Sequence, residues 1–295
     1  MKVNVGGAVV EGFRVIGREP LSLVGWALAL VGYYIVQFVV GLISGGLGVG
    51  MMAQMSQLRT GQFNSGAVGG LLLMFLMIMA VGYIFFGIVG SAIYRAVLDP
   101  TGSRAWARMR LGANEFRMAL TLFLVTLIYI VWYILTVIVL FMLFRMGGLG
   151  NLLGFIAGVF SALSFLSLFA FVGPMTLDKG RISIFPAVSA AASNYWRLMG
   201  MNALLCLMLI VLYIVLVLLV LVLMGGSMAA LSSGDPAQTE QAILGMFTSP
   251  ITIVSILIVG PLLAAVVQVL FVSPAARAYA DVAGSSSAQQ AEAFS

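Results

Sequence analysis

Six stretches of the chain, at about residues 21–44, 70–94, 118–144, 152–175, 198–224 and 250–273, contain no Asp, Glu, Lys or Arg. About 20 apolar residues cross the hydrocarbon of a bilayer as a helix, so each stretch is long enough to span. The apolar character runs around the whole helix, without the period-2 alternation of a membrane barrel. Backbone groups in lipid must find partners within their own segment, which a helix provides. The expected fold is therefore all-α and integral to the membrane. Six transmembrane helices occupy residues 1–281, and residues 282–295 form a polar tail with too little apolar surface to fold.

Between the spans the pattern changes from all-round apolar to amphipathic. In 3–18, Val5, Val9, Phe13 and Ile16 share one helical face, with Glu11, Arg14 and Arg18 off that line. In 104–117, Trp106, Met109, Ala113 and Phe116 align, with Arg104, Arg108 and Glu115 elsewhere. In 182–197, Phe185, Val188, Ala192 and Tyr195 do the same. This pattern predicts three helices lying in the interface, with aromatics at headgroup depth and arginines reaching toward lipid phosphates. The residues assigned to that role are Phe13, Arg14, Arg104, Trp106, Arg108, Phe116, Arg117, Trp196 and Arg197. Each even-numbered span exits through an Asp: Asp99, Asp178 or Asp281. Interfacial helix, outward span, outer loop and inward span thus suggest a threefold internal repeat starting near residues 4, 104 and 184.

Charge sets the orientation. Twelve of the 14 Lys and Arg lie in 1–20, 95–117, 176–197 and 274–295, leaving only Arg59 and Arg145 for the intervening loops. The positive-inside rule then places both termini in the cytoplasm. Residues 145–151, RMGGLGN, read as a tight turn. Asp235 and Pro236 begin a short helix over 236–247 at the outer surface.

Composition agrees with membrane residence: 62% of residues are hydrophobic and 8% charged, against about 25% charged in soluble domains. The net charge of +5 belongs to loops facing anionic lipid headgroups, and no separate basic domain suggests nucleic acid. The chain has no His, which removes the commonest general base and metal ligand. The single Cys206 lies in an apolar run and has no partner for an internal disulfide.

The stretch FVGPMTLDKGRISIFPAVSAAASNYWRLMGMNALLCLMLIV carries Pro174, Asp178, Pro186, Ser189 and Trp196 ahead of an apolar span. Over about residues 170–215 it resembles bacterial six-span inner-membrane proteins similar to the membrane domain fused to some glycerophosphodiester phosphodiesterases. The resemblance implies a bacterial inner-membrane location without catalysis, since no soluble catalytic domain with its His and acidic metal ligands accompanies it.

Candidate chemistry is sparse. Glu11, Glu19, Asp99, Glu115, Asp178 and Asp281 are the inner-side acids, and no base or nucleophile is arranged beside them. Glu115, with Arg117 next to it and Arg108 or Arg110 a turn or two away, reads as part of a surface ion pair. No cofactor or metal site is expected, although Met51, Met52 and Met55 offer thioethers of the kind that bind soft copper(I). Gln37, Gln268 and the Gly260-Pro261 break suggest a polar cavity among spans 1, 4 and 6, the simpler role of both Gln being interhelical hydrogen bonding. Gly41, Gly45, Gly154 and Gly158 mark packing seams within the protein or between two copies.

The expected function is a non-enzymatic membrane protein that engages anionic lipids or organises a membrane-protein partner; the alternative is a small transporter or export component. The topology has a direct test. In a Cys206→Ser background, Ser232→Cys and Ser286→Cys are expected to react with an impermeant maleimide from opposite sides. Reaction of both from outside would reverse the orientation.

Overall fold

The computed structural model describes the backbone of residues 3–58, 65–102, 105–223 and 258–293, with side chains described outside 41–74, 105, 219–223 and 285–293. Among these residues the chain is helical: α1 (Val5–Val9), α2 (Glu11–Arg18), α3 (Pro20–Leu58), α4 (Ser65–Leu98), α5 (Ala113–Phe144), α6 (Gly148–Phe169), α7 (Val172–Lys179), α8 (Ile184–Ala192), α9 (Tyr195–Leu223) and α10 (Gly260–Ala293). Six helical stretches are long and apolar enough to cross a membrane, so the chain has the form of a multi-pass membrane protein. The expected outer helix 236–247, Arg104, the side chains of Met51, Met52 and Met55, and the surroundings of Gly41 and Gly45 lie outside the described residues. Residues 282–293, read from sequence as a tail, continue α10. Their Ala, Gln and Glu are good helix formers.

Breaks between helices follow local chemistry. Pro174 has no N–H to offer the carbonyl of Ala170, and α6 ends at Phe169, with α7 resuming at Val172. Gly180, at φ +58, closes α7 in the left-handed conformation that glycine adopts without strain. The predicted turn at 145–151 is shorter still: α6 begins at Gly148, directly after Gly147 at φ +74.

Around the bundle α3 packs on α4, α4 on α5, α5 on α6 and α6 on α9, while α10 lies against α3, α4 and α9. Two buried cores hold this arrangement. Val15, Trp26, Val89, Ile93 and Val269 join α2, α3, α4 and α10; Phe171, Met175, Leu198, Met201 and Tyr279 join α7, α9 and α10. The short helices gather at one end, the network end, where the N–H of Asn4 meets Asp281 Oδ2 at 3.3 Å and Arg197 Nη1 donates to the carbonyl of Val3 at 3.3 Å.

Away from that end the α5–α6 hairpin is held by a narrow seam. Trp132 Nε1 donates to Ser161 Oγ at 2.8 Å, and Thr136 Oγ1 shares a hydrogen bond with the same hydroxyl at 2.7 Å. Gly154 lies under the ring of Phe144, and Gly158 faces Leu140. A Cβ on Gly150 would overlap the carbonyl oxygen of Leu143, a backbone atom that cannot turn aside. Small residues let helices approach closely in lipid, where apolar side chains gain nothing by leaving the tails. Gly150→Ala should therefore cost about 1–3 kcal/mol through overpacking. Gly158→Ala, whose Cβ would meet Leu140 Cδ1 at an ordinary 3.5 Å, should be tolerated. Thermal unfolding in detergent reads the difference; equal midpoints for both variants would refute the seam.

Candidate functional site

The segment joining α4 to α5 differs from the amphipathic helix expected over 104–117. Trp106, Ala107 and Arg108 all sit at positive φ in a tight turn, residues 109–112 are not helical, and α5 starts only at Ala113. Left-handed backbone costs about 1–2 kcal/mol per non-glycine residue, so something must hold it. The holding group is Arg108, expected to face lipid but only 3% exposed.

Each of the five guanidinium donors of Arg108 has an acceptor. Nε and Nη2 reach Glu19, the closest contact being 2.8 Å, with both side chains at 2% exposure or less. Nη1 donates to the carbonyls of Asp99 at 2.6 Å and Arg95 at 3.4 Å, and Nη2 also donates to that of Pro100 at 3.1 Å. Glu19 in turn accepts from Ser22 Oγ at 3.0 Å. Arg18 Nη2 donates to the carbonyl of Ala96 at 2.6 Å. Two arginines thus donate to carbonyls at the end of α4 and just beyond it, two of which, those of Arg95 and Asp99, also accept a backbone N–H, and their positive charge suits that end of the helix dipole. The turn's own carbonyls are covered as well: Trp26 Nε1 donates to Ala107 at 2.9 Å and Arg95 Nη1 to Arg108 at 3.1 Å.

Glu115 forms no surface pair with its sequence neighbours. It is buried and pairs with Arg95 of α4, while Arg117 donates to Asn114 Oδ1 at 3.0 Å. The correction has a simple cause: the compact turn folds α5 back so that its first turn faces the last turns of α4. The other expected interfacial residues stay outside: Arg14, Phe13, Phe116, Trp106 at 87% exposure and Trp196 at 70%, with Arg197 partly covered. Phe185 is 84% exposed, whereas the small residues Ala8, Gly12, Ala187 and Ala191 turn inward.

Two cavities flank α4 and α5. The first, about 330 Å³, opens at the network end and is walled by Arg95, Asp99, Arg108, Arg110, Asn114 and Asp178. Asp178 Oδ2 accepts from Tyr279 Oη at 2.7 Å, and Asp99 Oδ1 accepts from Thr101 at 3.2 Å. Arg110, Arg117, Lys179 and Arg181 have no carboxylate within ion-pair distance among the described residues. Gly180, between Lys179 and Arg181 in the chain, lies beside Arg117, since a Cβ there would be 3.9 Å from Arg117 Nη1.

The second cavity, about 310 Å³, is largely apolar and lies deeper, between α4, α5 and α10. Tyr83, Phe86, Gly90 and Tyr94 come from α4; Met118, Leu122 and Thr126 from α5; Gln268, Phe271 and Val272 from α10. The amide oxygen of Gln268 is buried there without a donor. The expected cavity was placed among spans 1, 4 and 6. Spans 2, 3 and 6 form this one, because α6 packs on α5, α8 and α9 instead of lying beside α3 and α10. Gln37 is elsewhere, its Nε2 donating to the carbonyl of Ile78 at 3.1 Å as a tie between α3 and α4. Gly260 and Pro261 open α10 and line neither cavity.

Sequence reasoning missed Trp26, Arg95 and Tyr279, and gave Arg110 only as a neighbour of Glu115. Glu19 was the available signal: an acid just ahead of an apolar run, whose burial requires a cation. Among the described residues no group of three or more potential ligands could hold a metal ion. The chain matches no known protein family, no curated protein and no solved structure.

Removing one partner of a buried pair leaves an uncompensated charge, so Arg108→Gln should destabilise by about 3–5 kcal/mol. With Glu19→Gln added, the loss should be clearly less than the sum of the single variants. Thermal unfolding in detergent provides both readings, and additive losses would break the assignment.

Proposed function

We propose that the chain is a non-enzymatic multi-pass protein of the bacterial inner membrane, akin to the membrane domains that residues 170–215 resemble, whose network end engages anionic lipids. The observation that carries this reading is the company kept by the unpaired cations. Arg110, Arg117, Lys179 and Arg181 cluster near α5 and the α7–α8 turn, and the same end carries the exposed rings of Trp106, Phe116, Phe185 and Trp196. Aromatic rings settle at headgroup depth, and each Lys or Arg near an anionic membrane surface contributes about 1 kcal/mol. Most acids are already engaged: Glu11, Glu19, Glu115 and Asp281 pair with Arg14, Arg108, Arg95 and Arg277, while Asp99 and Asp178 accept from Thr101 and Tyr279.

A triple variant, Arg117→Gln, Lys179→Gln and Arg181→Gln, tests the reading. After purification from mixed vesicles, its enrichment of phosphatidylglycerol over phosphatidylcholine should fall several-fold relative to the unaltered chain, and raised salt should mimic the loss. Unchanged enrichment in both arms would overturn it.

A further inference from the structure

The two cavities share no lining residue but lie one after the other along one stripe of the bundle. On α4, Tyr94 lines the apolar cavity and Leu98, one turn on, lines the polar one. On α5, Met118 and Asn114 divide in the same way. Residues four apart share a helix face, so the cavities follow each other along the same faces of both helices. On α10 the stripe runs from Gln268 to Tyr279, whose hydroxyl reaches Asp178 in the polar wall. From Asn114 to Thr126 the stripe is about 18 Å long at about 1.5 Å per residue. One leaflet of hydrocarbon is about 15 Å thick.

We propose that this stripe binds one anionic phospholipid, with an acyl chain in the apolar cavity and the phosphate in the polar one. The inference rests on the lipid-engaging reading but assigns a defined site in place of a general surface. The wall of the deep cavity suits a hydrocarbon chain: Phe86, Leu122, Phe271 and Val272 offer no charge. The outer cavity suits a phosphate, because Arg95 and Arg108 are already paired and Arg110 is the one cation of its wall without a carboxylate. Outside the wall, at the adjoining first turn of α5 and the α7–α8 turn, Arg117, Lys179 and Arg181 add positive charge that no carboxylate among the described residues pairs.

Gly90 supplies the decisive variant. A Cβ there meets nothing within 4 Å, so the first atom of a Gly90→Leu side chain has room, and the rest of it takes up space in the apolar cavity that Gly90 lines. The probe is phosphatidic acid with a diazirine in one acyl chain, mixed with the full-length chain in detergent, irradiated and mapped by peptide. Adducts are expected on the lining residues of α4, α5 and α10, about tenfold fewer in Gly90→Leu because the added side chain overfills the space. Arg110→Gln should need about tenfold more probe for equal labelling, the loss expected of one charge-assisted hydrogen bond. Diacylglycerol carrying the same diazirine chain should label the lining far less than phosphatidic acid. Equal lining adducts in Gly90→Leu, or adducts confined to lipid-facing positions such as Val131 and Phe141, would overturn the site. Equal labelling by diacylglycerol would overturn the phosphate assignment. The triple variant above leaves Gly90 and Arg110 intact, so failure of the surface reading and failure of this site are read separately.

Discussion

The buried pair of Arg108 and Glu19 is the constraint on which the network end depends. Taking both charges out of water costs several kcal/mol per ion unless every hydrogen-bonding position is matched. Here each of the five guanidinium donors finds an oxygen, three of them carbonyls of residues 95, 99 and 100, where α4 ends. One side chain therefore joins the beginning of α3 to the end of α4 and also pins three left-handed residues. The same turn delivers the carbonyl of Ala107 to Trp26 and aligns Glu115 with Arg95. An apolar pair of similar volume would cost less to bury, but it could not satisfy those carbonyls. Specific geometry, more than net stability, is what the pair provides.

The rest of the bundle is held by different means. Beyond the network end, α5 touches mainly α6, and most of its side chains from Leu127 to Phe144 face outward. Lipid tails are as apolar as those side chains, so no hydrophobic force presses the helices together there. Contact runs along the row where Trp132 and Thr136 converge on Ser161, where Tyr129 and Trp132 meet the ring of Phe165, and where Gly150 and Gly154 let the helices approach. The molecule combines an end tied by buried charges with a shank held by small residues and a few hydroxyls.

Much of this was legible from the chain itself. Charge-free windows locate the spans because a charge in hydrocarbon is costly, and the helices observed contain or overlap those windows. RMGGLGN reads as a turn because glycine accepts positive φ, as Gly147 does. The polar network was harder to read. Glu115 has three arginines within seven residues, yet it pairs with Arg95, twenty residues back, because the intervening segment turns instead of continuing as a helix. Amphipathic spacing misled at Arg108: a residue lying off an apolar face looks exposed until an acid from a distant helix approaches it. Gln37 and Gln268 are alike in sequence, and only helix neighbours separate the tie from the lining residue.

These features constrain what the deep cavity can accept. The six apolar windows hold no Asp, Glu, Lys or Arg, so a ligand seated between α4, α5 and α10 finds no countercharge there and cannot bring a charge with it without the full cost of desolvation. Gln268 offers it at most an amide. One turn farther out the chemistry reverses, with Arg110, Asp99 and Asp178 in the wall and more cations beside them. A small ion fits only the outer cavity, and a neutral hydrocarbon uses only the inner one. A molecule that uses both must be long, apolar over most of its length and charged at one end, and the membrane around this bundle is made of such molecules.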